Sequence, residues 1–400
     1  MHDNIRNNKI KKMRIAFIFD ALLYGGIERV GISYLKFLEE DGHDVDVFIL
    51  NTRDIEGIIE EIPSRFKVHK TYVNHLWTPC IFWYAAKRWW WGKYLLPIGY
   101  TLSYLFLRIY GLRFLKYGKY DVAISMAGHS NDLAINAYNI IRSEKKIAWL
   151  HGCLIEYMCI SPSNQRLYSK IKNLVTLNSN GDNTCFNFHR YLKKDYNIKN
   201  IYNPCPVKER PIDGSLVKQL RDNYGRFILM IGRMDSPKNP ISVIKALEHI
   251  YSKYNVAYNM VFVGDGPKLK EYRDYACKTE IKDHIHFVGN ESNPQNYYKA
   301  ASLFAFASYS EGMPTVIIEA MMFGLPIVTS DTSVREILED GKDGLISQID
   351  DHGALGEDIH RCMSDQNTWE KYSALSLKRA EAFAPETIKQ QFNDFMSNLW

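Results

Sequence analysis

The chain has 400 residues, 46% hydrophobic and 24% charged, with a net charge of +5; this balance excludes a disordered polymer and a membrane bundle. Its length suits two ordinary domains, each with its own core. The seven cysteines are scattered and lack paired CxxC spacing, which argues against a zinc or thiol–disulfide motif and for reduced thiols in a cytosolic protein.

In chain order, residues 13–19 are apolar and β-rich, 28–40 have helical spacing and 45–50 return to strand, a parallel βαβ pattern. The first apolar run is interrupted by Asp20 and is too short for a secretory segment. Before the first helix lie Gly25 and Gly26, which let backbone amides approach a phosphate or sugar closely. Glu28 and Arg29 read as capping or surface residues. Asp44-Val45-Asp46 has the Asp-x-Asp form that can hold a divalent ion, but it opens its strand at the end away from where ligands gather.

The segment 62–120 contains no Asp or Glu and ten Lys or Arg, so the remainder of the chain is net negative. It also holds Trp77, Trp83, Trp89, Trp90 and Trp91. Residues 94–107 are uncharged, yet fall short of the ~20 needed for a helical span. Aromatic rings favour the headgroup level and basic side chains are drawn to anionic lipid. A membrane-facing, acceptor-reading surface around Lys87, Arg88, Trp89, Trp90, Trp91 and Lys93 is therefore expected. A buried aromatic helical pair with solvated basic edges is the alternative; nucleic acid is not an expected partner, because no recognised binding motif accompanies the patch.

Further strands are expected at 122–125, 146–150, 175–177 and 200–202. The prolines and glycine of 203–214 then break the periodicity. A second alternation has strands at 227–232, 260–263, 284–288, 303–307 and 327–329, and a terminal helix is expected over 390–400. This organisation gives a first Rossmann-like domain over 1–205, a second over 206–385, and a terminal helix within 386–400.

Candidate functional residues follow strands, where open α/β sheets collect ligands. His151 follows the strand ending AWL. In FILMIGRMDSPKNP, Gly232 precedes Arg233 and Lys238, two cations suited to a diphosphate leaving group. Gly264 and Gly266 of VFVGDGP shape a turn. In SYSEGMPTVIIEAMMFGLPIVTSD, Pro314 suits a first helical position, Gly324 a left-handed cap and Pro326 a stop, so a short helix is expected with Glu311 before it and Glu319 within it. Its free N–H groups would attract an anion.

These motifs resemble the retaining GT-B glycosyltransferases of family 4 (glycosyltransferase group 1), of the bacterial polysaccharide and glycolipid type, continuously from 227 to 346 and intermittently before. The resemblance implies an α/β GT-B fold: two Rossmann-like domains facing across a cleft, the C-terminal helix returning to the first. It implies that Glu311 contacts the donor sugar and Glu319 the ribose, that Gly312, Met313, Pro314 and Thr315 surround diphosphate and sugar, and that Arg233 and Lys238 bind diphosphate. It also gives Gly25, Gly26, Gly232 and Gly266 to the donor surroundings and His151 to the donor sugar. The segment 286–290 then faces the base with its backbone. The implied activity is metal-independent transfer of a hexose or N-acetylhexosamine, with retention, from a nucleoside diphosphate sugar (UDP-linked by preference) to a lipid-linked or growing glycan acceptor in cell-surface polysaccharide synthesis. No cofactor is expected, and the location expected is cytoplasmic, on the inner face of the membrane. A sugar-nucleotide epimerase on the same scaffold, a non-catalytic membrane-bound sugar-binding module and a glycosidase using the two glutamates are the other readings.

Overall fold

The computed structural model describes the chain except residues 1–11, 23–25, 52–56, 74–91, 129, 152–161, 178–195, 205–210, 310, 312 and 333. The chain divides into two compact units, Met1–Pro204 with Ile388–Trp400, and Cys205–Thr387.

The first unit runs β1 (Arg14–Phe19), α1 (Gly26–Glu40), β2 (Asp44–Ile49), β3 (Lys67–Lys70), α2 (Gly92–Gly111), β4 (Tyr120–Ser125), α3 (Ser130–Ala137), β5 (Ser143–Leu150), α4 (Pro162–Tyr168), β6 (Asn173–Thr176) and β7 (Asn197–Asn200). Its strands lie in the order β3-β2-β1-β4-β5-β6-β7, every pair parallel. Helices on both faces require each strand to be apolar on both sides. Strand β1 meets this requirement: Ile15, Phe17 and Phe19 enter one core while Ala16 and Ile18 enter the other.

The second unit runs α5 (Gly214–Tyr224), β8 (Phe227–Ile231), α6 (Pro240–Tyr254), β9 (Asn259–Val263), α7 (Leu269–Ala276), β10 (Ile285–Gly289), α8 (Gln295–Ala300), β11 (Leu303–Phe306), α9 (Thr315–Met322), β12 (Ile327–Ser330), β13 (Leu345–Ser347), α10 (His352–Ser364) and α11 (Gln366–Ala380). The order β10-β9-β8-β11-β12-β13 is again parallel throughout. Both sheets reverse direction beside their first strand, between β1 and β4 and between β8 and β11, which creates a crevice at the strands' carboxyl ends. The fold is therefore α/β with two Rossmann-like domains.

The last helix, α12 (Pro385–Ser397), places Ile388, Phe392, Phe395 and Met396 in the first unit's core. Phe392 packs on Tyr34 and Trp149, ring centroids 5.1 and 5.9 Å away. Lys389 closes the edge with Glu40 at 2.7 Å and Asp41 at 2.9 Å.

Several expected boundaries move. Pro314 is not the first helical residue: its ψ of 93° leaves it outside α9, as the flanking residue before Thr315. The strand expected at 200–202 lies at Asn197–Asn200, where it pairs with β6, and the terminal helix begins at Pro385. Strands β3 and β13 carry too little pattern to be recognised. The first, KVHK, is an edge strand with a single aliphatic residue, and the second is only three residues long. The expected uncharged stretch 94–107 belongs to the 20-residue α2. No helix among the described residues is long and apolar enough to cross a membrane.

Phe392→Ala removes a fully buried ring from the first unit, and should lower that unit's unfolding free energy by about 3–5 kcal/mol. Urea unfolding should show this transition at a lower midpoint while that of the second unit stays in place.

Candidate active site

At the switch point of the second sheet, the loops after β8 and β11 lie against each other. The chain leaves β8 at Gly232, whose N–H donates to the Val263 carbonyl at 3.0 Å. Beside it runs the turn after β9. A Cβ on Gly264, which has φ +135°, would sit 2.0 Å from the Gly232 oxygen, and one on Gly266 would sit 2.4 Å from the Met234 oxygen. These glycines permit the close approach of two backbones, so their first role is to shape the site's floor. Asp235 then caps the 3-10 turn Ser236–Lys238 through the Lys238 N–H, and Asn239, at φ 42°, redirects the chain into α6.

This path delivers Lys238 Nζ to within 2.5 Å of Glu311 Oε1. The β11 loop is fastened to the same turn: the Tyr309 N–H donates to the Pro237 carbonyl at 2.8 Å. Ser308 Oγ lies 2.7 Å from that carbonyl and 2.9 Å from Glu311 Oε1. The pair is largely withdrawn from solvent, with the Lys238 side chain 24% and the Glu311 side chain 11% exposed. A charge pair so placed is held strongly, since loss of either member leaves the other poorly solvated. Arg233 is different: its side chain is 71% exposed and its Nε contacts Asp235 Oδ2 at 2.5 Å.

The start of α9 follows directly. Met313 and Glu319 are half-buried and Pro314 is buried. Gly324 takes φ +69° just after the helix, as expected of a left-handed cap. Gly312 lies outside the described residues, as do Gly25, Lys87, Arg88, Trp89, Trp90 and Trp91; Gly26 opens α1 and Lys93 lies in α2. Asp235 and Ser308 were not singled out in the sequence. The Asp-Ser-Pro order, a capping residue before a proline, was the available signal for the first.

Beside the switch point of the first sheet, His151 follows β5, the neighbour of β4, and its Nε2 lies 2.8 Å from the Met126 carbonyl oxygen. A carbonyl only accepts, so Nε2 carries the proton and Nδ1 of a neutral ring is the acceptor. Asp132, fully buried in the first turn of α3, holds the adjoining loop by accepting the N–H groups of Ala127 at 2.9 Å and Gly128 at 2.8 Å. Burial, then the charge of Asp20, pushes its carboxyl well above the usual range. Burial likewise raises Glu28, with Asp20 adding to it. Three carboxyl groups thus gather at the carboxyl ends of β1 and β4; Glu28, expected as a capping or surface residue, is half-buried in the first turn of α1.

Asp46 is committed elsewhere. Its Oδ2 accepts from Arg14 at 3.2 Å and Tyr120 at 2.7 Å, and its Oδ1 lies 2.7 Å from His69 Nε2. Burial raises its pKa, but the bonds from His69 and Tyr120 outweigh this and hold it below the ordinary value. No group of three or more His, Cys, Asp or Glu suited to a metal occurs among the described residues.

Residues 215–379 match the family described as Glycosyl transferases group 1. The match lies within the second unit. Curated relatives include an alpha-1,4-N-acetyl-D-galactosaminyltransferase of Campylobacter jejuni, whose name specifies a GalNAc-containing diNAcBac-PP-undecaprenol. It is 27% identical over 208 residues, which are 51% of this chain and 55% of that protein. The chain spans about half the length of the first curated relatives it matches. Among solved structures, Anabaena HepE in complex with UDP has a TM-score of 0.73 at 20% identity, covering 96% of this chain and 100% of that one. A glycosyltransferase from Rickettsia africae also has a TM-score of 0.73, at 16% identity, covering 97% and 100%. At these identities the likeness establishes the shared fold.

Because its folded-state pKa is raised, the Asp132 contribution to stability is fully present below the unfolded value of about 3.9 and is lost as pH rises through the folded value. Asp132→Asn keeps an acceptor for the two N–H groups and should remove that loss. Urea titrations at about pH 4.5 and pH 7.5 should show the variant gaining on the wild type at the higher pH, by up to about 1.4 kcal/mol per pH unit; parallel pH profiles would contradict it.

Proposed function

We propose that the chain is a retaining, metal-independent glycosyltransferase that moves a hexose or N-acetylhexosamine from a UDP-linked donor to a lipid-linked or growing glycan acceptor in cell-surface polysaccharide synthesis. The observation that carries this reading is the Lys238–Glu311 pair joining the two switch-point loops at the start of α9. The Anabaena structure with UDP and the undecaprenol-linked substrate named for the Campylobacter relative support the donor and acceptor classes.

Glu311 neutralises Lys238. An arriving diphosphate competes for the ammonium, which frees Glu311 to accept a hydrogen bond from a donor-sugar hydroxyl. Arg233, exposed beside Asp235, supplies the second cation, and the N–H groups at the start of α9 face the same anion. Glu319 holds the ribose, and Gly232, Gly266, Met313 and Thr315 line the donor. His151 meets the sugar through Nδ1. As the anomeric C–O bond to the diphosphate breaks, the acceptor oxygen bonds on the same face and its proton passes to the departing phosphate oxygen. Leaving-group stabilisation therefore carries the rate, with no dedicated base or metal. The enzyme works from the cytoplasmic side, attached peripherally to an anionic membrane through the basic segment 62–120.

Thermal-shift measurements with UDP-, GDP- and ADP-sugars should show the largest stabilisation with a UDP-sugar. A larger shift with either of the others would reassign the base.

In a transfer assay with the preferred donor, Lys238→Ala and Arg233→Ala should each lower kcat/KM by about 10²–10³-fold, and EDTA should leave the rate unchanged. Near-normal turnover in both variants, or conversion of the donor without an acceptor, would overturn the assignment.

A further inference from the structure

Helix α2 carries two neighbouring features that sugar transfer does not use. Tyr100, Ser103 and Leu107 are buried, and Leu107 belongs to the first unit's core. On the opposite side Tyr94, Ile98, Leu102, Leu105 and Ile109 follow at helical steps of three and four, each at least half exposed. An apolar stripe of this length facing outward needs a partner. Along its flank, Tyr104 and Arg108 form one wall of a cavity of about 540 Å³, whose other walls include Tyr138, Lys146, Lys170 and Lys172.

Among the described residues, four cations and no carboxylate line this cavity. Lys146 donates to the Ala137 carbonyl at 3.2 Å, at the end of α3. Arg108 is set by its bond to the Tyr104 hydroxyl, 2.9 Å away, while the Tyr104 and Tyr138 rings meet edge to face at 5.1 Å. Lys170 sits 6.0 Å over the Tyr138 ring. Burial, and then Lys170 and Arg108, pull the Lys146 ammonium below its ordinary value. The carboxylate at the start of the same strand, Glu144, is engaged by Lys119 at 3.6 Å. Lys146 lies in the first half of β5 and Lys172 just before β6, so the cavity is at the opposite end of the sheet from His151.

We propose that this cavity binds the phosphate headgroup of an anionic membrane phospholipid while the α2 stripe lies in the headgroup–acyl boundary. The inference rests on the peripheral membrane attachment proposed above and gives it a specific site. A tetrahedral phosphate offers several acceptor oxygens to Arg108, Lys146, Lys170 and Lys172. The exposed aliphatic and tyrosine side chains meet the adjoining lipid, as expected of a helix lying in the interface plane.

The test is sedimentation of the full chain with vesicles of phosphatidylcholine alone or mixed with phosphatidylglycerol. Binding should require phosphatidylglycerol, and Arg108→Ala and Lys170→Ala should each weaken it by about fivefold. Lys116→Ala, whose charge lies outside the cavity, should weaken it by less than about twofold. Equal losses at Lys116 and Lys170 would reduce the attraction to diffuse charge and overturn the site. Unchanged binding in Arg108→Ala and Lys170→Ala would remove the cavity while membrane attachment stands. A wild-type chain that ignores both vesicles would remove attachment as well, and transfer to a water-soluble acceptor, measured separately, would still decide the enzymatic reading.

Discussion

One ion pair organises the second unit's candidate site. Lys238 and Glu311 are 73 residues apart, yet the parallel order of β8 and β11 brings the loops that carry them to one crevice. Around the pair, Ser308, Tyr309 and Pro237 join the two loops, while Gly264 and Gly266 let the turn after β9 press from below. Partly desolvated opposite charges give modest net stability at best, because desolvation opposes their attraction. Their value here is positional: each charge holds the other where a polar ligand would arrive. An anion entering such a site exchanges partners with groups already oriented, and less reorganisation is needed than in water.

The fold was largely legible, because buried parallel strands read as continuous apolar runs and this chain has such runs at β1, β4, β5, β8, β9 and β11. Strands β3 and β13 escaped because an edge position or a three-residue length leaves no pattern to detect. In the site, the residue types were legible as motifs, but their pairings were not. Nothing in local spacing says that Lys238 meets Glu311 while Arg233 meets Asp235. That outcome depends on strand order, on the capped turn at Asp235 and on the left-handed Asn239. The grouping of Asp20, Glu28 and Asp132 has the same origin, since separate elements contribute each carboxyl group.

The two switch points differ in electrostatic character. The second unit's presents paired charges near a helix start, suited to an incoming anion. In the first unit, carboxyl groups crowd together under burial, so protonated forms are favoured and one of them, Asp132, serves as the anchor of the loop carrying Met126. His151 is oriented through that same loop. Asp132 is thus two hydrogen bonds removed from the His151 ring.

Helix α12 has a consequence for biosynthesis. The second unit is one uninterrupted stretch of chain, whereas the first needs Phe392 and its neighbours to cover Tyr34 and Trp149. All of the later globule is therefore synthesised before the segment that seals the earlier one. Until then the nascent first globule carries an uncovered aromatic surface, the kind of patch that chaperones engage.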